Sequence, residues 1–205
     1  MNSVSFRKEK KFRVTVSDFY KFQGQLHKQG METLFESRLI SSVYFDTADL
    51  KMFNDSEEGV LPRKKIRIRW YGDSKILSLE NKTSSIEGRF KTSAKLETTV
   101  LGYEPLKRNR IDPQYGHIQP TLKVSYQRSY FMFHEMRITF DKDICYQNLK
   151  YADKRKYYDP ERVIEIKVPV NCPDDFVEKF LPNTTARFSK YSRGLLLSSG
   201  DLHEA

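Results

Sequence analysis

The segment KKIRIRWYG, residues 64–72, alternates without a break from Lys65 to Trp70: Ile66, Ile68 and Trp70 at one parity, Lys65, Arg67 and Arg69 at the other. Successive side chains of an extended strand project to opposite faces. This period of two therefore predicts a strand with one apolar face and one face of stacked cations. The same pattern recurs along the chain. Within residues 6–16, Phe12, Val14 and Val16 alternate with Glu9, Lys11 and Arg13. Within 75–83, Leu77 and Leu79 alternate with Ser78, Glu80 and Lys82; within 135–141, Met136, Ile138 and Phe140 alternate with Arg137, Thr139 and Asp141. Within 161–168, Ile164, Ile166 and Val168 alternate with Glu165 and Lys167. Residues 38–46, 89–99 and 121–131 bring the total to about eight strands, mostly in hairpin order, with a Gly-Asp-Ser turn joining 64–71 to 75–83.

Helices are few. Ser17 is the expected N-cap of a helix over Asp18–Gln29, in which Phe19, Phe22 and Leu26 keep helical spacing and Gly30 is the stop. A helical turn is expected near Leu50–Phe53, a helix over Pro173–Leu181 with proline at its start, and a last one over Ser189–Leu197, where Ser189 is a candidate cap. The fold class is α+β, mainly antiparallel β. Antiparallel sheets of this size close on themselves or stack in pairs to protect their edges.

A length of 205 residues suits one domain, taken as 1–205, with a full core. The formal net charge of +9 and the sequence pI of about 9.4 suggest an anionic partner: nucleic acid, a phosphorylated small molecule or an anionic membrane. Cys145 and Cys172 lack metal-site spacing and read as reduced structural thiols. No apolar run is long enough to span a bilayer and residues 1–12 lack an apolar leader core, so a cytoplasmic location is expected. No HxxxH, GxGxxG or P-loop sequence occurs, and His27, His117, His134 and His203 are scattered.

The polar faces admit two readings. One is an ordinary sandwich with solvated charges, in which neighbouring ions contribute little. The other is a charged cavity. Arginine is prominent, and its planar fork suits phosphate. Glutamate also precedes lysine by two residues three times, at Glu9/Lys11, Glu80/Lys82 and Glu165/Lys167. Such faces would offer cations for phosphate oxygens and carboxylates for a divalent metal, and a bound polyanion would offset the desolvation of the charges. Asp141 and Asp143 are candidate metal assistants, although turn chemistry accounts for them equally well.

An ordered set of motifs carries a resemblance: RxExKF from Arg7, VYFDT from Val43, IRIRWYG from Ile66, LENKT from Leu79, SYQRSYF from Ser125, RITFDKDI from Arg137, VIEIKV from Val163 and RFSKYSRG from Arg187. The succession, over nearly the whole chain, resembles the VTC domain, the polyphosphate polymerase family named for the vacuolar transporter chaperone, within the triphosphate tunnel metalloenzymes. The resemblance implies an eight-stranded closed barrel with a basic lumen and helices packed outside. It implies transfer of the γ-phosphoryl group of ATP, or another nucleoside triphosphate, to a growing polyphosphate chain with Mn²⁺ or Mg²⁺. Lys11, Arg67, Arg69, Lys82, Arg128 and Arg137 match phosphate ligands, with Lys91 or Lys95 as a further tunnel lysine. Glu165 matches the metal-binding glutamate, and Glu9, Glu80 and Lys167 extend the set from the paired-charge pattern. Arg187 and Lys190 match a basic pair on the C-terminal helix. Asn81 departs from the family pattern between Glu80 and Lys82, and Arg187 stands where lysine is common. A membrane partner protein receiving the polymer is compatible with the family, and a nucleic-acid partner is not expected. The competing readings are a triphosphatase on a related tunnel and a silent polyphosphate-binding module.

Overall fold

A computed structural model describes residues 7–96, 104–151, 155–173, 175–180, 185 and 188–200. In chain order the elements are β1 (Arg7–Val14), α1 (Val16–Lys28), β2 (Glu32–Asp46), α2 (Lys51–Glu58), β3 (Arg63–Tyr71), β4 (Leu77–Ser85) and β5 (Gly88–Leu96), followed by a 3-10 turn at Glu104–Leu106. Then come β6 (Arg110–Asp112), β7 (Gly116–Phe133), β8 (Met136–Asn148), β9 (Tyr157–Tyr158), β10 (Arg162–Pro169) and α3 (Lys190–Ser199). The hydrogen-bonded order is β1-β10-β8-β7-β2-β3-β4-β5, with β6 on β7 and β9 on β8. The fold is thus mainly antiparallel β with three helices, as the alternation predicts. Among the described residues this path has two ends, β1 and β5, so ring closure stays an expectation.

The chain divides into two compact units. The first comprises Met1–Arg38, Tyr126–Ile144 and Asp159–Phe188; the second comprises Leu39–Ser125, Cys145–Tyr158 and Ser189–Ala205.

In the first unit β1 pairs with β10 and β10 with β8, so that Phe12, Ile164 and Phe140 fall in one row and Lys11, Glu165 and Thr139 in the next. The apolar rows are buried against Phe19, Phe22 and Leu26 of α1. Fully burying a side chain of this kind stabilises by roughly 1.5–3 kcal/mol, which fixes the apolar face under the helix and leaves the charges on the other. The α1 N-cap is Thr15, two residues before the expected Ser17: the Thr15 hydroxyl accepts from the Asp18 amide at 3.1 Å and donates to the Asp18 carboxylate at 2.9 Å. That pair of bonds settles the start of the helix.

In the second unit Val43, Phe45, Ile66, Ile68, Trp70 and Leu77 form the apolar cluster, together with Met52 of α2. The expected helical turn at Leu50–Phe53 is the start of α2. Asp46 makes it so: its carboxylate accepts from the amides of Thr47, Met52 and Phe53 at 2.7, 2.8 and 2.9 Å. Helix α3 is capped by Ser189, whose hydroxyl accepts from the Ser192 amide. Gly194 lets it approach β7 and β8, since a Cβ there would lie 2.3 Å from Tyr146 and 2.7 Å from Leu122.

The helix expected over Pro173–Leu181 is not formed among the described residues of that stretch. Residues 175–180 are turns, with bonds from Phe176 to Pro173 and Phe180 to Val177 spanning three residues and one from Lys179 to Asp175 spanning four. Mixed spans of this kind do not propagate a helix. Both cysteines are free, and no described helix is long and apolar enough to cross a membrane.

Candidate functional site

The antiparallel register of β3, β4 and β5 sorts the second unit's charges into rows. Lys65, Lys82 and Lys91 stand directly opposite one another; Arg67, Glu80 and Ser93 form the next row, and Arg69, Ser78 and Lys95 the third. Like charges directly opposite on a sheet are destabilising, so a lysine row across three strands is an arrangement that an anion relieves. Both Lys91 and Lys95 thus fall on this charged face.

Arg67 and Arg69 are only 9% and 8% exposed, and Glu80 only 4%. Arg67 donates to Glu80 Oε2 through Nε at 2.7 Å and Nη2 at 2.6 Å, and to the Tyr44 hydroxyl through Nη1 at 2.8 Å. Arg69 donates to Ser42 Oγ at 3.3 Å and lies 3.9 Å from Glu80. Lys91 takes the other Glu80 oxygen at 2.6 Å. Burial would raise the Glu80 carboxyl, but the Arg67 and Arg69 guanidiniums and the bonds from Lys91 and Arg67 hold it at about 2. Burial would likewise raise the Tyr44 phenol, yet Arg67, Arg69 and Lys190 bring it below its ordinary value. Lys65 donates to Ser189 Oγ at 2.9 Å, which brings the first turn of α3 to the lysine end of the rows.

The first unit has a different balance. Lys11 pairs with Glu9 at 2.9 Å and donates to the Phe188 carbonyl at 3.4 Å. Lys167 pairs with Glu165 at 3.1 Å and lies 4.0 Å from Glu9. Arg128 forks onto both oxygens of fully buried Asp141 at 2.6 and 2.7 Å and lies 3.6 Å from Glu165. Burial lowers the Arg128 guanidinium, but Asp141 and Glu165 raise it well above its ordinary value. Burial and Glu165 push Glu9 upward, and Lys11 and Lys167 outweigh them, leaving it lowered. Arg137 stands opposite Lys167 and lies 5.9 Å from the centre of the Phe35 ring. Thr139 stands opposite Glu165, buried, with Oγ1 lacking a hydrogen-bond partner. No group of three or more His, Cys, Asp or Glu side chains gathers among the described residues.

The expected residues therefore assemble in two sets. Arg67, Arg69, Lys82, Lys91, Lys190 and Glu80 belong to the second unit, and Lys11, Arg128, Arg137, Lys167, Glu9 and Glu165 to the first. Arg187 lies outside the described residues. Asp141 is the Arg128 counter-ion, while Asp143 has a positive φ and accepts from Arg162, as a turn residue does. Of the histidines, His27 bonds the Met31 carbonyl and His134 packs against Phe133 and Phe180, both structural placements; His203 lies outside the described residues. Lys65 falls on the cation face that the alternation predicts, whereas Tyr44, Asp46 and Tyr191 carry no sequence signal of their own beyond lying in the VYFDT and RFSKYSRG motifs.

Solved structures share this fold at low identity. A candidate adenylate cyclase from Bacillus halodurans is 16% identical, with a TM-score of 0.61, covering 92% of this chain and 97% of its own. The Hippeastrum protein HpAC1, described as a candidate adenylyl cyclase with a dominant triphosphatase activity, is also 16% identical, with a TM-score of 0.57, covering 97% of this chain and 98% of its own. No curated protein matches the chain. The VTC domain matches residues 6–198, nearly the whole sequence and the span that holds both sets of charges. The chain belongs to the VTC domain family.

Proposed function

We propose that this chain is a metal-dependent polyphosphate polymerase, moving the γ-phosphoryl group of ATP onto a polyphosphate chain. The observation that carries the reading is the second unit's cation lattice, in which lysines face lysines across three strands and two buried guanidiniums share one carboxylate. A polyanion would relieve the repulsion within such rows, and phosphoryl transfer asks a protein mainly for positioning and charge neutralisation. Arg67 and Arg69 would hold equatorial phosphate oxygens through their planar forks, with Lys65, Lys82, Lys91 and Lys95 as point charges along the rows. Lys190, at the α3 end, would hold a further anionic group. Lys11, Arg128, Arg137 and Lys167 are the first unit's phosphate ligands in this reading.

The first unit's donors fit a hard divalent cation. Glu9 and Glu165 are neighbouring carboxylates paired with Lys11, Lys167 and Arg128, and Thr139 adds a buried oxygen opposite Glu165 that has no hydrogen-bond partner among the described residues. A donor set of few carboxylates suits Mg²⁺ or Mn²⁺, which complete their shells with water and phosphate. Glu9 and Glu165 would hold the ion, which would supply Lewis-acid charge neutralisation at the phosphate. Glu80 has both oxygens engaged by Arg67 and Lys91, and we assign it as counter-ion to the lattice.

A second reading is favoured by the dominant triphosphatase activity described for the Hippeastrum protein: hydrolysis of a triphosphate. Incubation with ATP and Mn²⁺, followed by gel separation of the products, distinguishes the two. A ladder of long chains supports the polymerase; orthophosphate without chains overturns it in favour of the hydrolase.

A further inference from the structure

Arg67 is held on two sides. Its Nε and Nη2 rest on Glu80, and its Nη1 donates to the Tyr44 hydroxyl at 2.8 Å. Tyr44 is itself held: its ring stacks on Tyr191 of α3 with centroids 5.1 Å apart and planes 19° from parallel. The Tyr191 hydroxyl donates to Asp46 Oδ2 at 2.5 Å. The Asp46 carboxylate is fixed in turn by the amides of Thr47, Met52 and Phe53, the last two in the first turn of α2. Tyr44, Asp46 and Tyr191 are all buried. All of these residues belong to the second unit.

We infer that Tyr44, Tyr191 and Asp46 form a latch that aims the Arg67 guanidinium, so that the seating of α3 sets the geometry of phosphate binding. Plain packing would need only the ring areas, whereas here both phenol oxygens are used: one accepts from Arg67 and the other donates to Asp46. A buried polar network whose members are satisfied is rigid, and a guanidinium held at three nitrogens has little freedom to swing toward solvent. Burial and then Asp46 raise the Tyr191 phenol well above its ordinary value, so it keeps its proton and remains the donor to Asp46. Gly194 serves the same arrangement, because only a residue without Cβ lets α3 settle against Tyr146 and Leu122 at the depth that stacks Tyr191 on Tyr44. Tyr191 and Asp46 are thus positioning residues, acting on the ligand through Arg67.

The inference rests on Arg67 being a phosphate ligand, and the experiment separates the two claims. Inorganic tripolyphosphate is titrated calorimetrically into the full chain in EDTA. The variants are Tyr191→Phe, which keeps the stack and loses the bond to Asp46, and Tyr44→Phe, which loses the acceptor for Arg67. Each is made in the wild-type and Arg67→Ala backgrounds, with circular dichroism confirming the fold. The expected result is a loss of affinity of about three- to tenfold for each in the wild-type background, the size of one hydrogen bond, and less than about twofold in Arg67→Ala. An equal loss in both backgrounds overturns the latch and leaves the phosphate site standing. Unchanged affinity in Arg67→Ala alone overturns both.

Discussion

The charged faces of the two units obey the same alternation but balance their charge differently. In the second unit one carboxylate, Glu80 of β4, serves two guanidiniums of β3 and a lysine of β5, and the row beside it consists of Lys65, Lys82 and Lys91. In the first unit carboxylates and cations come interleaved: Lys11 with Glu9, Lys167 with Glu165, Arg128 with Asp141. In the proposed reading the second face meets the polyanion, and the first, which holds acidic oxygens among its cations, takes the metal. The strongest way to break that contrast is a pair of variants. Arg69→Ala removes a guanidinium whose bond to Ser42 is long, at 3.3 Å, and the thermal midpoint should stay within a few degrees while turnover falls about 10²-fold or more. Glu165→Gln should lower turnover by a similar factor yet leave tripolyphosphate binding in EDTA within about twofold of wild type. Steady-state kinetics and calorimetry read both. If Glu165→Gln weakens metal-free binding as much as Arg69→Ala, the two faces do not differ in role.

Acid sharpens the same contrast. Glu80 drops from an ordinary value of 4.5 to about 2 when folded. Its folded-state value lies below its unfolded one, so its contribution is complete above about pH 4.5 and is lost as pH falls toward 2. A shift of this size corresponds to up to about 3 kcal/mol. Denaturant unfolding at a series of pH values should therefore show a gap between wild type and Glu80→Gln that narrows steadily below pH 4.5. A gap independent of pH would mean that the lattice does not depend on the ionised carboxylate.

Much of this was legible because a strand's period of two is written directly into residue order. Ile66/Ile68/Trp70 and Arg67/Arg69 could be assigned to opposite faces without any tertiary knowledge, and most sheet segments followed in the same way. Residues 32–37 of β2 did not, because most are exposed and no apolar parity marks them. β6 and β9 are three and two residues long, too short to carry a period. The charged candidates were readable as residue types, but the proposed latch was not. Tyr191 and Asp46 are separated by 145 positions, and nothing local distinguishes a tyrosine that stacks over an arginine's partner from one that fills a core. The α1 boundary was missed by two residues for a related reason: Ser17 and Thr15 are both competent caps, and only the Thr15–Asp18 reciprocity decides between them.

The helices repeat the contrast on a smaller energy scale. α3 shares its face with Tyr44 and Arg67, whereas α1 covers the first unit's apolar side. Gly194→Ala forces a methyl into Tyr146 and should cost roughly 1–3 kcal/mol, with tripolyphosphate affinity falling alongside the midpoint because Tyr191 is displaced.

Thr15→Ala is the smallest expected effect and the cleanest control. It removes the hydroxyl that accepts from the Asp18 amide and costs about 1 kcal/mol, the typical worth of an N-cap. The helix it loosens packs Phe19, Phe22 and Leu26 against an apolar sheet face and contributes no side chain to either charged set. Thermal unfolding should therefore shift downward by a few degrees while calorimetric affinity for tripolyphosphate stays unchanged. A fall in affinity as large as that of Gly194→Ala would show that stability alone governs binding, and would remove the reason for treating α3 differently from α1.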